Sequence, residues 1–217
     1  MERIICIIIG YVMGLFQTGY LYGKLNHIDI RQHGSGNAGT TNITRTLGKK
    51  AGIITYIGDT LKSVVSAVII HLLFGKGNSD IEFLLVIYGG LGVVLGHNFP
   101  FYLKFKGGKG IAATSGVALS LLPYNWVFPV FGFLTFTLGS LITKYVSMGS
   151  LIFVTSFLIE IIIFGQLDYF GLSTNALYEA YAIVFAITLL AYIRHIANIK
   201  RLLNGTERKI GQKKTEI

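Results

Sequence analysis

Residues 4–23 read IICIIIGYVMGLFQTGYLYG, an uncharged stretch of 20 residues. A transmembrane helix needs about 20 predominantly apolar residues to cross the hydrocarbon core of a bilayer. The stretch is longer than the h-region of a cleaved signal peptide, and it has neither a basic n-region nor a small-residue cleavage site. We therefore expect it to be retained as the first membrane span.

The composition of the chain also indicates a membrane protein. Of its 217 residues, 52% are hydrophobic and 13% are charged, whereas about a quarter of the residues in a soluble domain are charged. Further apolar stretches follow at about 51–74, 83–99, 110–122, 125–143, 147–165 and 178–194. We predict an all-α polytopic membrane protein, a bundle of about seven transmembrane helices forming a single membrane-embedded domain over residues 1–217. Because stretch 110–122 is short, five spans are an alternative.

Basic residues predict the orientation of this bundle. With the amino terminus outside, 16 of the 19 Lys and Arg residues fall on one face. Since cytoplasmic loops carry the excess of Lys and Arg, we predict an external amino terminus and a cytoplasmic carboxyl terminus in a bacterial cell membrane. The net charge of +9 then reflects contact with anionic headgroups, and nucleic acid is not expected as a partner.

Residues 34–39, GSGNAG, fit the G-x-G-x-x-G fingerprint of dinucleotide-binding folds, and Asp59 lies 20 residues after the last glycine. That fold requires a parallel sheet, and an open sheet in lipid would leave its edge groups unpaired. We therefore predict a phosphate-binding loop without a nucleotide fold, in which glycines, hydroxyls and amides offer donors and Arg45 offers a planar fork. Its candidate ligands are Gly34, Ser35, Gly36, Asn37, Gly39, Thr40, Thr41, Asn42 and Arg45.

Three polar segments fall on the predicted cytoplasmic face. They are RQHGSGNAGTTNITRTLGKK at 31–50, GHNFPFYLKFKGGKG at 96–110 and RHIANIKRLLNGTERKIG at 194–211. The second ends directly before an apolar stretch, where the free N–H groups of a helix start favour an anion, and Lys104, Lys106 and Lys109 add positive charge. In the third, His195 and Asn198 share a face if the last span continues as a helix.

These three segments, in this order and with these spans between them, resemble the acyl-phosphate-dependent glycerol-3-phosphate acyltransferases of bacteria, the PlsY family. The resemblance covers practically the whole chain. It implies a seven-helix bundle that transfers a fatty acyl group from acyl phosphate to the 1-hydroxyl of sn-glycerol 3-phosphate. The products are lysophosphatidic acid and phosphate, in phospholipid biosynthesis. It implies no metal or nucleotide cofactor, and it makes the soluble acyl-phosphate synthase a candidate partner beside membrane lipid.

The resemblance also implies roles for single residues. Ser35 and Arg45 correspond to essential first-segment residues, and His195 and Asn198 to active-site residues of the third. Glu207 corresponds to a structural residue. Glycerol-phosphate and phosphate binding is implied for Lys104, Gly107, Gly108 and Gly110.

The chemistry of the implied reaction leaves one assignment open. Acyl phosphate is an activated anhydride, so alignment and charge stabilisation are sufficient and a covalent intermediate is unnecessary. We expect Ser35 to hydrogen-bond phosphate, because no general base lies near it in sequence. The proton of the attacking hydroxyl is removed by His195, by His97 or by a phosphate of a bound substrate.

Asp59, Lys62 and Glu160 are charged residues within predicted spans. Asp59 and Lys62 are three residues apart and are expected to pair. Glu160 has no evident partner in sequence, and an intramembrane carboxylate is a candidate functional residue.

Two rival classes are weighed against the enzyme. A transporter for an anionic solute would use basic half-helix ends near the bilayer midplane and related motifs in two halves of the chain. The sequence contains no such repeat. A noncatalytic scaffold for lipid synthesis stays open, since residue types alone do not exclude it.

Overall fold

The computed structural model describes residues 1–78 and 81–212, and within these residues it contains ten α-helices and no strand. The helices are α1 Glu2–Gly14, α2 Thr18–Leu25, α3 Thr40–Leu47, α4 Lys49–Ile70, α5 Glu82–Asn98, α6 Ile111–Ser120, α7 Val127–Thr143, α8 Val146–Gln166, α9 Thr174–Arg194 and α10 Ile196–Leu203. The all-helical prediction is confirmed for the described residues. Lys213 and Lys214, which contribute to the predicted basic face, lie outside them.

Five helical stretches are long and apolar enough to cross a membrane. They are Glu2–Leu25, Lys49–Gly75, Glu82–Leu103, Val146–Gln166 and Thr174–Arg194. The apolar helices α6 and α7 are shorter, with 10 and 17 residues. At 1.5 Å per residue α6 extends only about 15 Å, half of the hydrocarbon thickness. The number of about seven spans therefore stays a prediction.

The first span is interrupted at Gln17, between α1 and α2. The side chain of Gln17 is buried, and its Nε2 donates to the carbonyls of Gly14 at 3.1 Å and His97 at 3.0 Å. A broken helix is tolerated at membrane depth when protein groups satisfy the freed backbone. Gln17 does this, and it also joins the first span to the end of α5.

Helix α5 forms the centre of the bundle. Of its apolar window 78% is buried, compared with 28–50% for the other four spans. The backbones of α5 and α1 are in direct contact. A Cβ added at Gly10 would overlap the backbone of Gly89, and one at Gly96 would overlap the carbonyl of Tyr11. Small residues permit this backbone approach, which packs helices within lipid.

Short helix α6 is anchored to α4 by hydroxyl side chains. Ser63 Oγ donates to the carbonyl of Ala113 at 2.8 Å, and Thr60 Oγ1 donates to that of Ala112 at 3.2 Å. Gly116 lies directly against the backbone of Thr60. These contacts fix the amino-terminal end of α6, where the second polar segment ends.

At the end of the bundle away from the polar segments, an ion pair joins α1 to α9, and a tyrosine of α5 hydrogen-bonds to it. Arg3 Nε lies 2.6 Å from Glu179 Oε2, which also accepts from the hydroxyl of Tyr88 at 3.0 Å. Since both charged side chains are about one-third exposed, the pair contributes little stability, on the order of 1 kcal/mol or less.

Candidate active site

The first polar segment forms a loop that is organised by Asn42. This side chain is buried; its Oδ1 accepts from the N–H of Ser35 at 2.9 Å, and its Nδ2 donates to the carbonyl of His33 at 2.9 Å. Gly34 and Gly36 have φ of +60° and +71°, and a Cβ at Gly34 would overlap Asn42 Oδ1. Asn42 therefore holds the loop in shape and is not free to bind phosphate.

Several backbone N–H groups of this loop are occupied within the chain. The N–H of Ser35 is taken by Asn42, that of Gly36 by the carbonyl of His33, and that of Gly39 by Asn37 Oδ1 at 2.9 Å. Short polar side chains thus satisfy part of the loop backbone locally, and a nest formed by its other N–H groups stays a prediction. The segment also presents the exposed side chains of Ser35 and Arg45.

The second polar segment folds back on the end of α5. The N–H of Gly107 donates to the carbonyl of Asn98 at 3.2 Å, and that of Gly108 donates to the carbonyl of His97 at 3.0 Å. Arg194, at the end of α9, donates to the carbonyls of Gly107 at 2.9 Å and Gly108 at 3.1 Å. The glycines are thus clamped between two spans, and no side chain fits at either position.

The N–H groups that follow this clamp are available for a ligand. Gly110 is the N-cap residue of α6 and has a φ of +85°. No acceptor within the described chain takes the N–H groups of residues 109–113. The start of a helix carries a partial positive charge and favours an anion. The phosphate cradle predicted for the second segment is therefore expected at the amino terminus of α6.

Lys109 joins the second segment to the third. Its Nζ donates to Asn198 Oδ1. Burial lowers the pKa of Lys109 to about 8; Glu207 opposes this effect, and the positive charges of Arg201, Arg45 and Arg194 reinforce it. A half-buried ammonium beside three further cations is poised for an anionic ligand.

The prediction that His195 and Asn198 share a face required the last span to continue as one helix through the third segment. In the structure the helix is interrupted. Helix α9 ends at Arg194, His195 has φ −101° and ψ 4°, and α10 starts at Ile196. Both His195 and Asn198 are nevertheless buried, with 2% and 7% of their surface exposed. The interruption at His195 thus leaves both side chains inside the protein.

The ring of His195 is fixed by a backbone carbonyl. Nδ1 lies 2.7 Å from the carbonyl of Ala191, which can only accept, so Nδ1 carries the proton and Nε2 is an acceptor. Burial, and next the charge of Lys109, lower the pKa of His195 to about 4. His195 is therefore neutral at pH 7 and offers a weakly basic nitrogen.

Glu207 closes the third segment by returning to the bundle. Its Oε1 accepts from Ser147 at 2.9 Å and Asn198 at 2.7 Å, and its Oε2 accepts from Arg201 at 2.6 Å. Burial opposes ionisation, but the hydrogen bonds from Asn198, Arg201 and Ser147 hold the pKa of Glu207 below its usual range. A charged Glu207 thus orients Asn198, whose other end meets Lys109.

Arg45 lies on α3 and faces the same group of charges. Partial burial, and then the positive charge of Arg208, lower the pKa of Arg45, with Glu207 opposing. The structure thus brings Arg45, Lys109 and the third segment into one electropositive region. Lys104 is exposed, with φ +53°, and no hydrogen bond or ion pair joins it to another site residue in the described part of the chain.

Other predicted residues are placed as follows. Asp59 pairs with Lys62 at 3.2 Å, as predicted. Glu160 is buried, and both its carboxylate oxygens lack a partner within residues 1–78 and 81–212. It follows Ser147 on the same helix by 13 residues, about 20 Å at 1.5 Å per residue. Glu160 therefore lies outside this region.

The sequence did not identify Arg194 and Ser147 as site residues, because their contacts join segments far apart in sequence.

Replacing Gly108 with alanine tests the clamp. The added Cβ would overlap the ring of His97 at Nε2, so the loop must shift away from α5. We expect kcat/KM of the enzyme to fall about 10- to 100-fold, since a displacement of about 1 Å at a site can cost 100-fold. Gly77→Ala is the control, because its Cβ meets nothing within 4 Å. Equal kinetics for the two variants would show that the loop position is unimportant.

Comparison with known proteins supports a single assignment. The family model for glycerol-3-phosphate acyltransferase matches residues 4–205. Glycerol-3-phosphate acyltransferase of Alkaliphilus metalliredigens is 41% identical over 98% of each chain, and that of Clostridioides difficile is 41% identical over 97% of each chain. Crystal structures of PlsY, an integral membrane glycerol 3-phosphate acyltransferase, in its glycerol 3-phosphate and lysophosphatidic acid forms have TM-scores of 0.79 and 0.77. Both are 34% identical and cover 97% of this chain and 96% of theirs.

Proposed function

This chain belongs to the glycerol-3-phosphate acyltransferase family, and on that premise we propose that it transfers a fatty acyl group from acyl phosphate to the 1-hydroxyl of sn-glycerol 3-phosphate. The products are 1-acyl-glycerol 3-phosphate, which is lysophosphatidic acid, and inorganic phosphate. The step serves phospholipid biosynthesis. The similar PlsY structures hold glycerol 3-phosphate and lysophosphatidic acid, which supports the acceptor and the product.

The observation that carries the proposal is the convergence of positive charge on free helix-start N–H groups. Arg45, Arg194 and Arg201 lie close enough to Lys109 for their positive charges to lower its pKa. Residues 109–113 leave their N–H groups unpaired within the described chain. Both proposed substrates carry phosphate, so two anions must be held close against mutual repulsion. Several cations and oriented N–H groups in a partly desolvated site can provide this stabilisation.

We assign the chemical step as direct transfer. The 1-oxygen of glycerol 3-phosphate attacks the acyl carbonyl carbon, a new C–O bond forms, and the bond between that carbon and the phosphate oxygen breaks. Lys109 and the N–H groups of residues 109–113 stabilise the departing phosphate, and Arg45 and Ser35 bind a phosphate group. Alignment of hydroxyl and carbonyl supplies most of the remaining acceleration.

His195 orients the attacking hydroxyl in this scheme. Its Nε2 is the unprotonated nitrogen and accepts a hydrogen bond from the hydroxyl. Because the pKa of His195 is about 4, the ring is a poor store for the proton at neutral pH. The proton therefore passes to a phosphate oxygen of a bound substrate, whose second pKa is about 6. Asn198 holds Lys109 in place and is itself held by Glu207.

The pH dependence of the rate tests the role of Lys109. With a pKa of about 8, Lys109 loses its proton as the pH rises, and the neutral amine no longer attracts phosphate. We expect kcat/KM, which reports the free enzyme, to fall above pH 8 or so, while the same limb in kcat lies at higher pH because bound phosphate favours the ammonium. Lys109→Arg should remove this limb from the residual activity. An unchanged limb in that variant would assign it to another group.

The membrane arrangement is part of the proposal. We propose that α6 and α7 complete a seven-helix bundle, with the amino terminus outside and the three segments in the cytoplasm. The soluble acyl-phosphate synthase is proposed to meet this basic face. We expect Thr41→Cys to be shielded from a membrane-impermeant maleimide added to intact cells and labelled after lysis. Labelling in intact cells would contradict the orientation.

The transporter alternative is not favoured by the location of the site. Arg194 is the last residue of the fifth span, and the GGKG loop, residues 107–110, follows the end of the third, whereas a transport site is expected near the midplane. Mass spectrometry of the products tests the proposed function directly. Incubation with acyl phosphate and glycerol 3-phosphate should yield 1-acyl-glycerol 3-phosphate, and the absence of that product from a folded, lipid-supplemented sample would contradict the proposal.

A further inference from the structure

A buried charged cluster lies behind the GGKG loop and takes no part in the chemistry described above. Lys62 of α4 is 3% exposed, and His97 of α5 is 2% exposed. Lys62 Nζ lies 2.7 Å from His97 Nδ1, 3.2 Å from Asp59 Oδ1 and 2.9 Å from the carbonyl of Phe16. The carbonyl of Gly14, at 3.3 Å, completes the set. The cluster thus connects the first three spans.

The partners of Lys62 decide which nitrogen of His97 carries a proton. The carbonyls and the carboxylate can only accept hydrogen bonds, and an ammonium can only donate its three protons. Lys62 Nζ thus has four acceptors for three protons, and the nearest is His97 Nδ1 at 2.7 Å. Because the ammonium can only donate, His97 Nδ1 accepts from it and must be the unprotonated nitrogen of a neutral ring. His97 then carries its proton on Nε2 and has no free lone pair, so it cannot be the general base.

His97 in turn forms the support of the GGKG loop. Its carbonyl accepts from the N–H of Gly108 at 3.0 Å and from Gln17 Nε2 at 3.0 Å. The edge of its ring that carries Nε2 lies directly against Gly108, since a Cβ there would overlap this nitrogen. Both the backbone and the ring of His97 therefore determine where the loop lies.

We propose that Lys62 is a positioning residue for acyl transfer. It fixes the His97 ring in its Nε2–H tautomer and orientation, and through this ring it fixes the loop that presents Lys109 and the N–H groups of residues 109–113. Asp59 balances the charge of Lys62, and its Oδ1 also accepts from Thr18 Oγ1 at 3.1 Å. The proposal rests on the phosphate-binding role of the loop proposed above, whereas the tautomer does not depend on that role.

The competing explanation is a purely structural ion pair between Asp59 and Lys62. Removing one partner of a buried pair is costly because it leaves an uncompensated charge, whereas removing both charges is often neutral. The double variant Asp59→Asn/Lys62→Met therefore separates the two explanations. It restores a balanced interior, but it still leaves His97 Nδ1 without its donor.

The tautomer of His97 can be measured directly by NMR. The chain has five histidines, so selective ¹⁵N-histidine labelling in detergent gives few signals, and His97→Gln assigns the one of interest. We expect long-range ¹H–¹⁵N couplings to show the Nε2–H form of His97 in the wild type. This form should be lost or mixed in Asp59→Asn/Lys62→Met. A wild-type ring protonated at Nδ1, or a double variant with the wild-type tautomer, would overturn the proposal.

Kinetics provide the second test. We expect Asp59→Asn/Lys62→Met to raise the KM for acyl phosphate or for glycerol 3-phosphate about 10- to 100-fold, as loss of an outer-shell partner typically does. The control is Glu179→Gln, which breaks the inter-helix ion pair at the opposite end of the bundle and should leave both KM values and the His97 signal unchanged. A double variant with wild-type KM values would show that the pair is only structural. If the wild type has no turnover while the tautomer is as expected, the proposed function fails and the role of Lys62 in acyl transfer fails with it, leaving the tautomer as a structural fact.

Discussion

Replacing Lys109 with methionine should lower kcat/KM for acyl transfer about 1000-fold while the protein stays folded. Loss of one preorganised charge-stabilising group typically costs 100- to 1000-fold, and Lys109 also positions Asn198 by donating to its Oδ1. Stability should not fall, because the lowered pKa of Lys109 shows that the fold disfavours this charge. Steady-state kinetics and a thermal melt on the same preparation measure both effects.

Lys106→Met is the matched control for this prediction. Lys106 belongs to the same loop, but it is exposed, and we expect its loss to change kcat/KM by about twofold or less, since exposed charges are screened by salt. A similar loss in both variants would mean that the loop acts only through its net charge. Near-wild-type turnover of Lys109→Met would remove Lys109 from the site.

Replacing Glu207 with alanine should destabilise the protein and abolish turnover together. The carboxylate accepts hydrogen bonds from Ser147, Asn198 and Arg201, and its removal leaves buried donors unpaired at about 1–3 kcal/mol each. Arg201 is 43% exposed, so its share is small after solvent screening. We expect the free energy of unfolding to fall by about 3 kcal/mol, measured by thermal or denaturant unfolding in detergent.

Glu207→Gln separates the effect of the hydrogen bonds that Glu207 accepts from the effect of its negative charge. The amide oxygen can still accept from Ser147 and Asn198, so we expect the larger part of the stability to return. Turnover should recover with it, because Asn198 again holds Lys109. If Glu207→Ala melted like the wild type yet had no activity, Glu207 would be a direct participant in the reaction and its structural assignment would be wrong.

The sequence predicts which segments meet, but not how each side chain is used. Apolar spans alternate with basic loops, and this pattern placed Lys109, Arg194 and Asn198 on one face, where Lys109 contacts Asn198 and Arg194 contacts the GGKG loop. Such placement depends on hydropathy and charge, which are readable along the chain.

Individual side-chain hydrogen bonds account for the features that the sequence did not predict. Asn42 holds the loop by pairing with Ser35 and His33, seven and nine residues away, a use that an asparagine in a glycine-rich stretch of sequence does not reveal. The break at His195 follows from the carbonyl of Ala191 and the return of Glu207. The pairing of Lys62 with His97 spans 35 residues. Each depends on tertiary packing that no periodicity encodes.

The most direct test of the proposed acyl transfer is phosphate release by the purified protein in lipid, with matched donors. With acyl phosphate and glycerol 3-phosphate together, we expect steady release of one phosphate per lysophosphatidic acid formed, and none when either substrate is omitted. Acyl-CoA should not replace acyl phosphate, and Arg45→Ala and His195→Ala should lose the activity. Equal turnover with acyl-CoA, or no turnover in a folded sample, would contradict the account.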